Sequence, residues 1–394
     1  MNINLFQTSY LEDRADSMDD YDPIETAVDK WTSETQIEEY RDKISDYHNY
    51  IHFKWLFVIG SVLLAIICSI YALSIGADYV TFTDAMEVVW NHLTGNPGDM
   101  ATNKDEYAVW FIRRPSVCCG LLAGAGLAAA GAVMQSILRN PLADPYTTGI
   151  SSGASFGASL AMGFGLSVAS TAYAVVANAF IFALIPMAVI ILVSKIKSAS
   201  PTTMIMAGIA VMYIFNAATT LIKLFVDPES LSAIYAWSVG SIDIAGKGIA
   251  GWDAVTAMFF FVVIGTTALI LLSRKLNVVA TGDESSKALG VNSDQMRIIS
   301  LLIVSFLAAG VVSFTGLIGF IGLVCPHIAR IFVGSDNRYL IPASAAFGAA
   351  LLIISDIIGK SIFYPTTVQV GVITAFIGGP LFLYLIVRQK KEAW

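Results

Sequence analysis

Residues Arg139–Gly157 read RNPLADPYTTGISSGASFG and separate two strongly apolar runs, LLAGAGLAAAGAVM and ASLAMGFGL. A proline after Asn140 and another after Asp144 cannot continue a helix, because proline lacks an N–H and disfavours helical geometry in the residue before it. Backbone broken in this way is tolerated at membrane depth only where other protein shields it from lipid. The stretch therefore predicts two closely packed membrane helices, one ending near Arg139 and the next restarting over Gly149–Gly157.

The rest of the chain agrees with a membrane reading. It has 394 residues, 56% of them hydrophobic, only 13% charged, and a mean hydropathy of +0.69. Soluble domains carry about a quarter charged residues. Apolar runs of 18 or more residues mark membrane spans. Candidates fall at 55–76, 111–137, 149–166, 171–194, 202–226, 252–272, 297–312, 316–331, 340–358 and 369–387. The short alternating segments of a barrel are absent from the sequence. The expected fold is an all-α polytopic membrane protein of about ten transmembrane helices. Arg297 and Arg330 are too far apart for one span, so the glycine-rich segment Gly310–Gly319 is expected to reverse the chain. Between the fifth and sixth spans, DPESLSAIYAWSVGSIDIAGKG predicts a short outer helix, with Tyr235 and Trp237 suited to an interface belt.

Charge is unevenly placed. Residues 1–50 hold 13 Asp+Glu against 4 Lys+Arg, whereas the remainder is close to neutral. The expected division is an acidic cytoplasmic extension at 1–50 and a transmembrane body at 51–394. Asp22-Pro23 followed by Ile24, Ala27, Val28 and Trp31 reads either as an amphipathic helical arm or as a solvated extension. With both termini inside, cytoplasmic links hold 13 Lys+Arg against 6 outside, which fits the positive-inside bias. Lys104, Arg113, Arg114, Lys223, Lys247 and Lys360 are the outer six.

Few residues suggest chemistry. Cys68, Cys118, Cys119 and Cys325 lie in apolar segments and read as packing residues. The four histidines lack ligand spacing, so neither a metal nor a cofactor is expected. The sequence IIGKS at 357–361 ends like a phosphate-binding loop, but position 354 is Ile where the first glycine is required. No catalytic residue is expected, and the chain is not an ATPase. Asp356 and Lys223 are the nearest approach to intramembrane charges, and both lie near span ends. That argues against ion coupling and for an energy source outside the chain.

The link 273–297 is the longest between apolar runs, apart from the outer segments. Within it, Gly282, Asp283, Glu284, Ser285, Lys287, Ala288, Leu289 and Gly290 form an acidic helix start, a short helical body and a glycine stop. The segment suits either a partner's groove or an ordinary surface loop. In the fifth span Asn216, Thr219, Thr220 and Lys223 recur at helical spacing. This stripe reads equally as a hydrated path or as interhelical hydrogen-bond glue.

Several blocks together resemble one family. RRP at 113–115, GLAAAGAVMQ at 126–135, RNPLADP and GISSGA lead, and WSVGS at 237–241 follows. GDESSKALGV at 282–291, GLIGFIGLVCPHIAR at 316–330 and VGVITAFIGGPLFLYLI at 370–386 complete the series. The chain is similar, over about residues 55–390, to the permeases of binding-protein-dependent ABC importers for cobalamin, haem and iron–siderophore complexes. The resemblance implies a type II ABC importer permease fold that dimerises, with an identical or a sister chain, around a central path. It implies two copies of a cytosolic ATPase below and a solute-binding protein above, in a cell membrane, with no nucleic-acid partner.

By the same resemblance 282–290 is the ATPase-coupling segment. Ser200, Pro201, Thr202 and Thr203 fall on the cytoplasmic gate, and Asn216, Thr219 and Thr220 on the translocation path. Arg113 falls on an Arg that pairs with the binding protein. The next family Arg falls on Ser116, Arg114 replaces an apolar residue, and Lys360 stands for a third Arg. The expected function is import of an iron(III) chelate, haem or cobalamin. The alternative is an ion-coupled secondary transporter or channel that works without an ATPase.

Overall fold

A computed structural model describes residues 34–76, 78–96, 98, 103–169, 173–243 and 251–388. The expectations for the acidic arm before residue 34, and for Lys247, lie outside these residues. The chain divides into two compact units, Met1–Trp55 and Leu56–Trp394. In the first, the described residues belong to the helix that begins at Glu34.

Thirteen α-helices are described: α1 Glu34–Ala72, α2 Phe82–Leu93, α3 Lys104–Leu138, α4 Ile150–Phe164, α5 Ala174–Ile196, α6 Pro201–Phe225 and α7 Pro228–Val239. They continue with α8 Gly251–Ala280, α9 Asp283–Ala288, α10 Ser293–Thr315, α11 Ile321–Val333, α12 Asn337–Ser361 and α13 Val370–Arg388. Among the described residues seven helices are long and apolar enough to cross a membrane: Ile51–Ala72 within α1, then α3, α5, α6, α8, α10 and α12. The shorter α4, α11 and α13 stand at the other three expected spans.

Helix α3 is the centre of the bundle. Its most apolar window is 78% buried inside the protein, against 28% for α6 and α8. The reason lies in its small residues. At Gly131 there is no space for a methyl group against the Gly322 backbone of α11, and Gly124 meets Gly348 of α12 in the same way. Helices in lipid have little hydrophobic drive to associate, so such close backbone contact supplies dispersion energy instead. Bulky exposed apolar side chains sit elsewhere, as with Ile214, Leu221 and Leu224 on α6 and Leu271 on α8.

The opening stretch folds as its prolines require. Helix α3 stops when Arg139 turns left-handed (φ 46°). Asn140 Oδ1 then accepts the Leu142 N–H at 3.0 Å. Asp144 caps a 3-10 turn at Pro145–Thr148 by accepting the Tyr146 N–H at 2.8 Å, and α4 follows. The Ile318 N–H donates to the Tyr146 hydroxyl at 3.2 Å, so this link is packed on the turn between α10 and α11. Burial pushes the Asp144 carboxyl up to about 6, against the opposing hydrogen bond from Tyr146.

Two expectations need correction, and one element is new. The reversal between α10 and α11 is confined to Gly316–Phe320, where Gly316 has φ 76°. Gly310 instead lies inside α10 beneath the Phe261 ring. Trp237 is no interface residue: it is buried in the main core, while Tyr235 on the same short helix is exposed. Finally, α2 is an additional helix between the first two spans. Thr81 caps it by accepting the Asp84 N–H at 3.2 Å, and Ala85 and Val88 face inward.

Candidate functional site

Arg113 and Ile137 lie near opposite ends of α3, and the sequence-predicted residues gather around these two ends. At the Ile137 end α9 forms as expected. Gly282 precedes it at φ 118°, a conformation that glycine adopts without steric cost, and Gly290 follows at φ 75°. Ser286 anchors the helix, donating to the Gly282 carbonyl at 2.6 Å and to the Val278 carbonyl at 2.9 Å. That fixes one face inward. Glu284, Ser285, Lys287, Ala288, Leu289 and Gly290 are exposed, with Leu289 66% exposed.

Asp283 faces the other way. It pairs with Arg297 at the start of α10, whose side chain is 0% exposed, and approaches Arg139 at 3.5 Å. The Arg297 hydrogen bond holds the Asp283 carboxyl below its ordinary value. Asp283 is thus the attachment of α9 to the bundle, and the exposed face belongs to Glu284, Lys287 and Leu289. Ser200 caps α6 by accepting the Thr203 N–H at 3.2 Å, and Pro201 occupies the first helical turn where its missing N–H costs nothing. Ser198, Ser200, Asp283, Lys287 and Asp294 line one cavity of about 530 Å³. The structure therefore brings the predicted gate link and the predicted coupling segment together.

At the Arg113 end a π-helical turn, Ala108–Arg113, follows the first α-helical turn of α3, Lys104–Tyr107. Arg113 turns inward, is 4% exposed, and donates to the Leu73 carbonyl at 3.0 Å and the Asp78 carbonyl at 2.6 Å. Arg114 lies 3.2 Å from the Trp110 ring centroid and 4.4 Å from that of Trp252. The far face of Trp110 stacks on His92 of α2, with centroids 3.6 Å apart, and His92 pairs with buried Glu106. Lys360 binds Asp356 at 2.7 Å, one turn earlier on α12. Arg113 and Lys360 share a cavity of about 650 Å³ with Asp78, Asp243 and Asp356, and Arg114 does not line it. The three predicted docking cations are therefore engaged within the chain, and they do not form a free positive surface.

The fifth-span stripe splits. Thr219 is 6% exposed and donates back to the Phe215 carbonyl at 2.8 Å, so it does not share a free face with Asn216 and Thr220. Asn216 and Thr220 are exposed. Lys223 leans over Tyr235, with its ammonium 4.3 Å from the ring centroid. Reasoning from sequence missed Ser286, Arg297 and the His92–Trp110–Arg114–Trp252 stack. The signal available for Arg297 was a lone arginine at the head of an apolar run.

Residues 63–388 match the family model of the FecCD transport family. The hemin transport system permease protein of Yersinia pestis is 33% identical over 84% of this chain and 95% of its own length. The Fe(3+)-citrate import system permease protein YfmE of Bacillus subtilis is 33% identical over 84% of this chain and 94% of its own. A solved structure described as an inward-facing metal-chelate type ABC transporter superposes with a TM-score of 0.71 at 27% identity, covering 85% of this chain and 100% of that one. With its helical order, its small-residue core and these matches, the chain belongs to the FecCD transport family and is the multi-pass, non-catalytic permease of a metal-chelate ABC importer.

Proposed function

We propose that this permease carries an iron(III) chelate inward, as a dimer with an identical or sister chain, powered by two copies of a separate ATPase. The observation that carries the reading is the placement of α9. Its Glu284, Lys287 and Leu289 face outward while Asp283 and Lys287 line the same cavity as Ser200. A partner gripping α9 would push directly on the gate link Ser200–Thr203. Asn216 and Thr220 then face the path between the two permeases, and a solute-binding protein delivers the chelate at the Arg113 end. The excess of Lys+Arg in the links at the α9 end supports a cytoplasmic position for that end, for both termini and for the acidic residues 1–50, with 51–394 as the permease body in a cell membrane.

Haem, Fe(3+)-citrate or an iron chelatin is named for several relatives and cobalamin for one, itself 35% identical, so the balance of names, and not the degree of identity, supports an iron chelate as the cargo. The test is ATP-dependent uptake of radiolabelled ferric citrate, haemin and cyanocobalamin into vesicles holding the permease, its ATPase and its binding protein. Uptake of an iron chelate alone supports the reading. Uptake of cyanocobalamin alone, or uptake without ATPase, overturns it.

A further inference from the structure

Arg297 is the largest of the fully buried side chains, and neither the family motifs nor the proposed gate uses it. Its guanidinium reaches four separate pieces of the protein. Both terminal nitrogens donate to the Asp283 carboxylate of α9, with Nη1 to Oδ2 at 3.2 Å. Nη1 also donates to the Ala199 carbonyl at 3.3 Å, in the link that leads into Ser200. Nε donates to the Ile137 carbonyl at 3.2 Å, at the end of α3. Asp294, on the first turn of α10, accepts at 3.4 Å. Ala199 and Ile137 lie 98 and 160 positions away in sequence.

The geometry points to Arg297 as the positioning residue that transmits movement of the coupling helix to the gate. This inference rests on the coupling role proposed for 282–290. A planar guanidinium with five donors holds a carboxylate and two carbonyls at fixed angles, which a single ammonium on a flexible stem does not do. The pair is also anchored where it does not slide: Arg297 has no solvent to exchange into, and the Ile137 carbonyl belongs to the most deeply packed helix of the bundle. When a partner displaces α9, Asp283 pulls the guanidinium. The guanidinium in turn holds the Ala199 carbonyl, one residue before the proposed gate. The backbone route between α9 and this link runs through α6, α7 and α8, so the side chain is the short path.

The test uses the complete permease–ATPase complex in nanodiscs with Thr202→Cys as a reporter, labelled by a membrane-impermeant maleimide with and without ATP and vanadate. With Arg297 intact, nucleotide changes the labelling rate. In Arg297→Lys the ATPase still co-purifies and hydrolyses ATP, but the nucleotide-dependent change shrinks by at least about fivefold, the scale of a typical coupling energy. Asp283→Ala breaks the same link from a partly exposed position and is expected to shrink the change equally. It also keeps the test open should Arg297→Lys not assemble. Either variant retaining the full change at 202 overturns the inference. The coupling role itself is tested by Leu289→Asp. If that variant keeps its ATPase at the unmodified level, the reading of 282–290 fails. If it loses the ATPase while Arg297→Lys keeps the full response, only the transmission role fails.

Discussion

Gly131 of α3 lies against the Gly322 backbone of α11 so closely that no side-chain atom fits between them. Gly131→Ala must therefore push the two helices apart, and overpacking of this kind costs about 1–3 kcal/mol or more. The expected result is a clear loss of melting temperature in detergent. Gly60→Ala is the control, because nothing lies within 4 Å of a methyl group there, and it is expected to leave the melting temperature unchanged or slightly raised, alanine being the better helix former.

Asp144 supplies a pH dependence whose sign follows from its burial. Its carboxyl is raised from 3.8 to about 6 in the fold, so the folded state favours the protonated form. That contribution is complete below about pH 4 and is lost as pH rises through about 6, a change of about 3 kcal/mol. Asp144→Asn keeps an oxygen for the Tyr146 N–H and cannot ionise. Melting scans between pH 4 and 7 are expected to show a smaller decline for Asp144→Asn than for the unmodified protein; parallel curves would refute the assignment.

Asp356 and Lys360 form a pair whose side chains are only 7% and 14% exposed. Removing one member leaves a charge with little water around it, which costs about 3–5 kcal/mol in comparable buried pairs. Asp356→Ala and Lys360→Met are each expected to destabilise strongly, and the double variant by less than the sum. A double-mutant cycle in thermal or denaturant unfolding measures the difference. Additive losses would mean the two groups act independently.

Arg114 between Trp110 and Trp252 tests the stacked ladder that ties α2 to α3 and α8. Cation–ring contacts contribute about 0.5–2 kcal/mol each, more when water is excluded. Arg114→Gln is expected to lower stability within that range and to increase hydrogen exchange in Phe82–Leu93. Unchanged exchange in α2 would show that His92 and Trp110 hold the helix unaided.

The seven long apolar helices and the shorter ones beside them were legible because hydropathy is a local property, readable from each stretch without its neighbours. The same holds for the prolines that end α3 and for the glycines that bracket α9. Helix α2 was missed because it is short and amphipathic and so does not resemble a span; Ala85 and Val88 on its inner face pack with Val80 and Val109. Trp237 was misread because a tryptophan near a span end is usually at the interface, and only the fold puts it inside. The roles of the arginines were the least legible. Arg113 and Arg297 satisfy backbone carbonyls far away in sequence, and no spacing rule announces such partners. Thr219 shows the limit of periodicity, since helical spacing named its stripe without revealing which of its members are buried against neighbouring helices.

The contrast in enclosure between α3 and its neighbours sets how freely each can yield. A rod wedged by backbone against backbone has no slack to tilt or rotate without breaking many contacts at once, whereas α6, open along much of its length, has fewer contacts to lose.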